Sequence, residues 1–152
     1  MRNNINWNTE NVAMPVLDFE AVNNWIVAVA ASHSRIVGDL TYIFCDDERI
    51  LEVNRGFLNH DYYTDIITFD YSTGRLVSGD MFISLDTVKS NAVGFGQVYA
   101  RELLRVIVHG VLHLCGINDK GPGEREIMEA NEDKALAMLP PALLAAVAAG
   151  PI

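Results

Sequence analysis

The sequence predicts one α/β domain of the α+β kind: a small mixed sheet with helices packed on it and a central helix carrying a histidine pair. Three observations predict it. Segments with the helical apolar period of about 3.6 residues alternate with short runs of strand formers. The chain has 152 residues, room for one domain that buries about two-thirds of its unfolded surface. It shows no internal repeat, low-complexity tract or composition shift of the kind that marks a linker. The expected domain spans 1–139, and residues 140–152 read as a flexible Ala/Pro-rich tail.

The elements follow in order. Ile5 and Trp7 alternate with asparagines as a first strand, and Asp18 can cap a helix that places Phe19, Val22, Trp25, Ile26 and Val29 on one side. Leu40, Tyr42 and Phe44 alternate as a strand. Asp46 can cap a helix through Ile50, Leu51, Val53 and Phe57, and His60-Asp61 turns the chain into the strand Ile66-Ile67-Thr68-Phe69. Gly74 breaks the pattern before the strand Met81-Phe82-Ile83. From about Val98 to Cys115 the chain is apolar on most sides, as a helix buried by its neighbours would be, and Gly116 can end it with a left-handed residue. A last helix is expected from Pro122 to about Met138.

Composition narrows the function. Half the residues are hydrophobic and 20% charged, which excludes a disordered or coiled-coil chain. No apolar run approaches the roughly 20 residues of a membrane span, and no hydrophobic signal core opens the sequence, so no membrane partner and a cytoplasmic address are expected. Cys45 and Cys115 form no C-x-x-C pattern and no disulfide framework. Eleven basic against 20 acidic residues give a net charge of −9, which argues against a general nucleic-acid binder and against DNA. Any RNA contact would need a local basic patch, for which Arg49, Arg55, Arg101 and Arg105 are the candidates.

His109 and His113 are four apart on the central helix, so both imidazoles lie on one face one turn apart and can converge on one ion. Glu102 and Arg105 extend this into a polar stripe that must be paired, ligated or open to a cleft if buried. The pair alone is equally compatible with two structural histidines at a helix edge. Past Gly116, Asn118-Asp119 and Gly121 can turn the chain back toward the histidines, which makes Asp119 a third candidate ligand. Two nitrogens and a carboxylate leave a fourth tetrahedral position open, the pattern of a catalytic zinc site with one Zn2+. Gly110 stands where H-E-x-x-H metallopeptidases have their glutamate, so that general base is missing.

These residues resemble the YbeY family of bacterial ribosomal RNA maturation factors, metal-dependent single-strand endoribonucleases whose signature reads H-G-x-L-H-L-x-G-Y-D-H, then E-x-x-x-M-x-x-x-E. His109, Gly110, Leu112, His113, Leu114 and Gly116 match it in place, and Glu124, Met128 and Glu132 match the downstream spacing. Asn54, Asp61, Thr64, Asp65 and Phe69 resemble an upstream stretch, and Gly79-Asp80 resembles the family's G-D before a strand. Asp119 stands at the family's third histidine, Ile117-Asn118 replaces the aromatic-acidic pair before it, and Leu58 replaces an arginine that the family is thought to use near the scissile phosphate.

The resemblance implies a zinc-dependent endoribonuclease acting on ribosomal RNA or ribosomal subunits, with His109, His113 and Asp119 on the metal and no assignable general base. The competing readings are a ribosome-assembly factor that binds without cleaving and, behind it, a metallopeptidase. The remaining polar residues are read plainly. Asp61, Asp65 and Asp80 are turn or strand caps as readily as substrate contacts. Glu124, Glu126, Glu129, Glu132 and Asp133 form the solvated face of the last helix, with Glu124 alone allowed a supporting role near the metal. His33 and His60 are exposed, and Met128 fills core space.

Overall fold

A computed structural model describes residues 4–57 and 64–148 of the chain. Its elements in order are β1 (Asn4–Thr9), α1 (Phe19–Ser32), β2 (Ile36–Cys45), α2 (Asp47–Phe57), β3 (Ile66–Asp70), β4 (Leu76–Ser84), α3 (Leu85–Phe95), α4 (Tyr99–Leu114), α5 (Glu124–Leu136) and α6 (Pro141–Ala148). The strands make one sheet in the order β1-β2-β4-β3. β1 and β4 flank β2 in parallel, with Trp7 beside Tyr42 and Tyr42 beside Met81, and β3 runs antiparallel to β4. Parallel neighbours require crossover connections, which α1 supplies between β1 and β2. The mixed sheet covered by helices is the architecture that the alternating pattern implied.

Local signals set the element ends. Asp18 caps α1, its carboxylate accepting from the Ala21 amide at 3.1 Å, and Asp46 accepts from the Arg49 amide at 2.9 Å at the start of α2. Gly116, at φ +95°, ends α4 as expected. Helix α3 was not anticipated. Only Val88 and Ala92 of its residues are fully buried, so its apolar stripe is too thin to stand out, and it is defined by a Ser84 cap and a left-handed Gly96. The last long helix starts at Glu124 instead of Pro122 and stops at Leu136 instead of Met138.

The expected loose end from residue 140 is a helix over Pro141–Ala148. Pro141 suits the first helical position, where its missing N–H has no partner to lose, and Leu143 is fully buried in the core. Leu143 anchors in the core a segment whose composition is bland. His33 is half-buried instead of exposed. Leu58, His60 and Asp61 lie outside the described residues. Both cysteines are free and buried, and burial pushes their thiols up to about 12 (Cys45) and about 11 (Cys115), so neither supplies a thiolate at neutral pH.

The centre of the domain is α4. Eleven of its 16 residues are buried, among them Leu103, Leu104, Val106, Ile107, Val108, Val111 and Leu112. Tyr42 donates from its hydroxyl to the Ile107 carbonyl at 2.9 Å and so ties the helix to β2. On the far side, Trp25 Nε1 donates to the Ala135 carbonyl at 2.8 Å, which ties α1 to α5. Gly110 faces the sheet, where a Cβ would stand 2.5 Å from Met81 Sδ and 3.0 Å from Ile66 Cδ1. Met81 is itself fully buried, so its side chain would have to shift within the core to make room. Gly110→Ala is therefore expected to cost about 1–3 kcal/mol of stability by overpacking, measured as a lower denaturation midpoint with an unchanged m-value. A stability equal to wild type would show that Met81 repacks freely.

Candidate functional site

The polar stripe of α4 is buried because it is paired. Glu102 and Glu132 are only 2% and 3% exposed. Between them Arg105 donates to Glu102 through Nε at 2.9 Å and Nη2 at 2.6 Å, and to Glu132 Oε1 through Nη1 at 3.0 Å. Asp65, at the entrance to β3, adds a carboxylate oxygen 3.8 Å from Nη2. The two-pronged contact to Glu102, with Glu132 beside it, raises the Arg105 pKa despite burial, so its charge is permanent. Asp65 titrates higher than an ordinary aspartate because burial outweighs the attraction of Arg105 and His109.

Glu132 then passes the network to the histidines. His109 Nδ1 lies 2.6 Å from Glu132 Oε2, and His109 Nε2 lies 3.4 Å from Asp119 Oδ2. Burial favours the ionised form of neither group. Burial is the largest single influence on each, but their mutual hydrogen bond and charge attraction, with Arg105 beside Glu132 and with Asp119 and Asp65 beside His109, together outweigh it. The Glu132 pKa falls below and the His109 pKa rises above its usual value. An ionised carboxylate can only accept, so Nδ1 carries the proton in the neutral ring and the Nε2 lone pair is left for the cleft side. A carboxylate holding one ring nitrogen in this way is the usual support of a metal-ligating histidine.

Sequence reasoning had put Glu132 on a solvated face, and the structure corrects that. It stands four residues from Met128 and four from Leu136, both buried, on the side of α5 that packs against α4. That spacing was the available signal, and the surrounding run of glutamates hid it. Glu124 accepts from the Gly121 amide at 2.6 Å and so braces the loop that carries Asp119. Asp119 forms its ion pair with His109 across the cleft.

His109, His113 and Asp119 open onto one cleft of about 690 Å³, with Asn54, Thr64 and Met128 also in its lining. Among the described residues no three ligating side chains are already gathered around one point. Among the described residues, six carboxylates (Asp65, Glu102, Asp119, Glu129, Glu132, Asp133) and four cations (Arg101, Arg105, Lys120, Arg125) line the cleft, an excess of two negative charges with neutral histidines. Of the four arginines expected in a basic patch, only Arg101 and Arg105 are in this lining. Arg49 pairs with Glu10 at 3.1 Å and lies over the Phe82 ring, and Arg55 is outside the lining. Asp80 accepts from the Tyr71 hydroxyl at 3.2 Å away from the cleft.

Comparison with known proteins extends the resemblance beyond the stretch from Asn54 to Glu132. The family model for endoribonuclease YbeY matches residues 4–140. Endoribonuclease YbeY of Phocaeicola vulgatus is 64% identical over 135 residues, which cover 89% of this chain and 98% of that protein. The Parabacteroides distasonis protein of the same name is 63% identical over 131 residues, 86% of this chain and 92% of its own. A solution structure from Thermotoga maritima shares the fold, with a TM-score of 0.62 at 23% identity over 89% of this chain and 88% of that one. No helix among the described residues is long and apolar enough to cross a membrane. With the motif residues on one cleft and the match running over nearly all of the described chain, this protein belongs to the YbeY endoribonuclease family of hydrolases.

Proposed function

We propose that this protein is a zinc-dependent endoribonuclease specific for single strands, acting in the cytoplasm on ribosomal RNA or ribosomal subunits, including the 3′ end of the small-subunit RNA. The observation that carries the reading is the His109 ring, held by Glu132 through Nδ1 with Nε2 toward Asp119 and the cleft. His109, His113 and Asp119 would hold one ion. Their nitrogen and carboxylate donors suit zinc, and the cleft's two excess negative charges suit any divalent cation. Bound there, such an ion supplies Lewis acidity toward a phosphodiester oxygen and an acidified water.

The chain's own residues divide the remaining work. Glu132 holds the His109 proton at Nδ1 and keeps the ring aimed. Arg105 is committed to Glu102 and Glu132, so it neutralises buried carboxylates instead of reaching for RNA. Arg101 and Lys120 line the cleft with no carboxylate partner among the described residues, which leaves them for phosphates.

A second reading, a ribosome-assembly factor that binds RNA without cutting it, is favoured by the neutralised Arg105. The peptidase reading loses support, because Gly110 points into Met81 and a glutamate there would face the sheet and not the cleft.

Incubating untagged protein with zinc and a single-stranded RNA, its duplex and a matching DNA tests the proposal. Expected are cleavage of the single strand alone, its loss on chelation, and RNA affinity that falls steeply with salt. Binding at low salt without cleavage would transfer the case to the assembly factor, and the absence of binding at low salt would remove both readings.

A further inference from the structure

Phe95 is an unexplained residue on the cleft. It is the last residue of α3, it is 61% exposed, and it lines the same cleft as His109, His113 and Asp119. A large apolar ring left in water carries an unfavourable exposure that packing normally relieves. Its backbone is well held. Gly96 takes the left-handed conformation at φ +64°, the Gly96 amide donates to the Val93 carbonyl at 3.2 Å, and the Gln97 amide donates to the Ala92 carbonyl at 2.9 Å. This double closure of the helix end fixes where the ring leaves the chain.

Two other observations point to what the ring meets. Arg101 lines the same cleft without a carboxylate partner among the described residues, and Gln97, which carries a side-chain amide, is also in its lining. A cation, an amide and an open aromatic face are the groups that hold a phosphate, a base edge and a base plane. The cleft is also a poor electrostatic host for RNA. Its carboxylates outnumber its cations, and Arg105 is spent on them, so phosphate contacts are few and affinity must come from elsewhere.

Resting on the endoribonuclease reading, we propose that Phe95 is the platform on which one unpaired base of the RNA stacks, with Arg101 on the adjoining phosphate, and that this makes the cleft select single strands. A base inside a duplex is stacked on its own neighbours and offers no free face, so only a single strand gains from the platform. Arg101 and His109 are eight residues apart on α4, about 12 Å along the helix axis. The stacked base therefore lies a few nucleotides from the bond that is cut, and Phe95 acts on binding and not on the chemical step.

The test compares wild type, Phe95→Ala and Phe95→Trp on one short single-stranded RNA, on its duplex, and on a set of the same strand carrying one abasic position each. The ring is exposed, so the substitutions leave folding intact, and equal thermal midpoints check this. Expected for Phe95→Ala is a rise of about 5- to 150-fold in Kd and KM for the single strand, the equivalent of one lost stack, with kcat nearly unchanged. Duplex binding should not move, and Phe95→Trp should restore the single-strand affinity. In wild type one abasic position, a few nucleotides from the cut, should cost about as much as Phe95→Ala, and in Phe95→Ala that position should cost nothing further. A Phe95→Ala Kd equal to wild type, with the wild type binding and cutting the single strand, would overturn the platform and leave the nuclease reading standing. A wild-type protein that binds no single-stranded RNA at low salt would overturn the nuclease reading and the platform with it.

Discussion

Glu132→Ala is expected to remove about 3–5 kcal/mol of stability, because it breaks a buried ion pair by deleting one partner. For a chain of this length that is a fall of about 6–20 °C in the thermal midpoint. Glu132 is the only described carboxylate that touches both Arg105 and His109, at 3.0 and 2.6 Å. Without it Arg105 keeps its grip on Glu102, but one nitrogen of the guanidinium and the Nδ1 proton of His109 are left inside without an acceptor. Glu132→Gln keeps the volume and one acceptor oxygen, so its loss should be smaller. The pH dependence has a fixed sign. The Glu132 pKa lies below its ordinary 4.5 in the folded protein, so its stabilisation is present above that value and disappears as the pH falls through the lowered one. Thermal midpoints of wild type and Glu132→Ala should therefore be far apart at pH 7 and converge in acid. Equal midpoints at pH 7 would mean that the network holds nothing together.

The double substitution His109→Ala/His113→Ala is expected to abolish zinc binding and RNA cleavage together. The measurement is the effect of metal on each protein's own midpoint, which is independent of any change in stability caused by the substitutions themselves. Zinc at about 100 times its Kd should stabilise wild type by about 2.7 kcal/mol and the double variant not at all. Zinc affinity should fall about 10- to 100-fold in Glu132→Gln, where the His109 ring loses its charged support. Asp119 brings a negative charge that a third imidazole would not, so it should leave the bound water less acidic than a three-histidine site would. Asp119→His should therefore keep the metal and move the rise of activity to lower pH, and Asp119→Ala should weaken binding. Metal retained in the double variant would place the ion elsewhere, and unchanged affinity in Asp119→Ala would remove that residue from the ligands.

Much of the fold was legible from local pattern. The alternating run Leu40-Tyr42-Phe44 is the buried face of β2, and the near-continuous apolar stretch around Val106-Ile107-Val108 is the helix covered on most sides. Helix α3 escaped because it contributes only two buried residues, Val88 and Ala92, too few to impose a period on the composition, and helix α6 because its composition is bland. The cleft was half legible. The spacing of four put His109 and His113 on one side of one helix, and the turn residues suggested that Asp119 comes back toward them.

Helical periodicity acts within a few residues, so the chain alone determined that His109, His113, Arg105 and Glu102 share a stripe and that the stripe needed partners. Which partners it obtained depended on how α5 lies against α4. Glu132 is 27 residues from Arg105 and 23 from His109, and although its spacing from Met128 and Leu136 puts it on the apolar side of α5, no local pattern names those partners. Packing made the choice, because α5 buries the face that carries Met128, Glu132 and Leu136, and a buried carboxylate is stable only where an arginine and a histidine are already waiting.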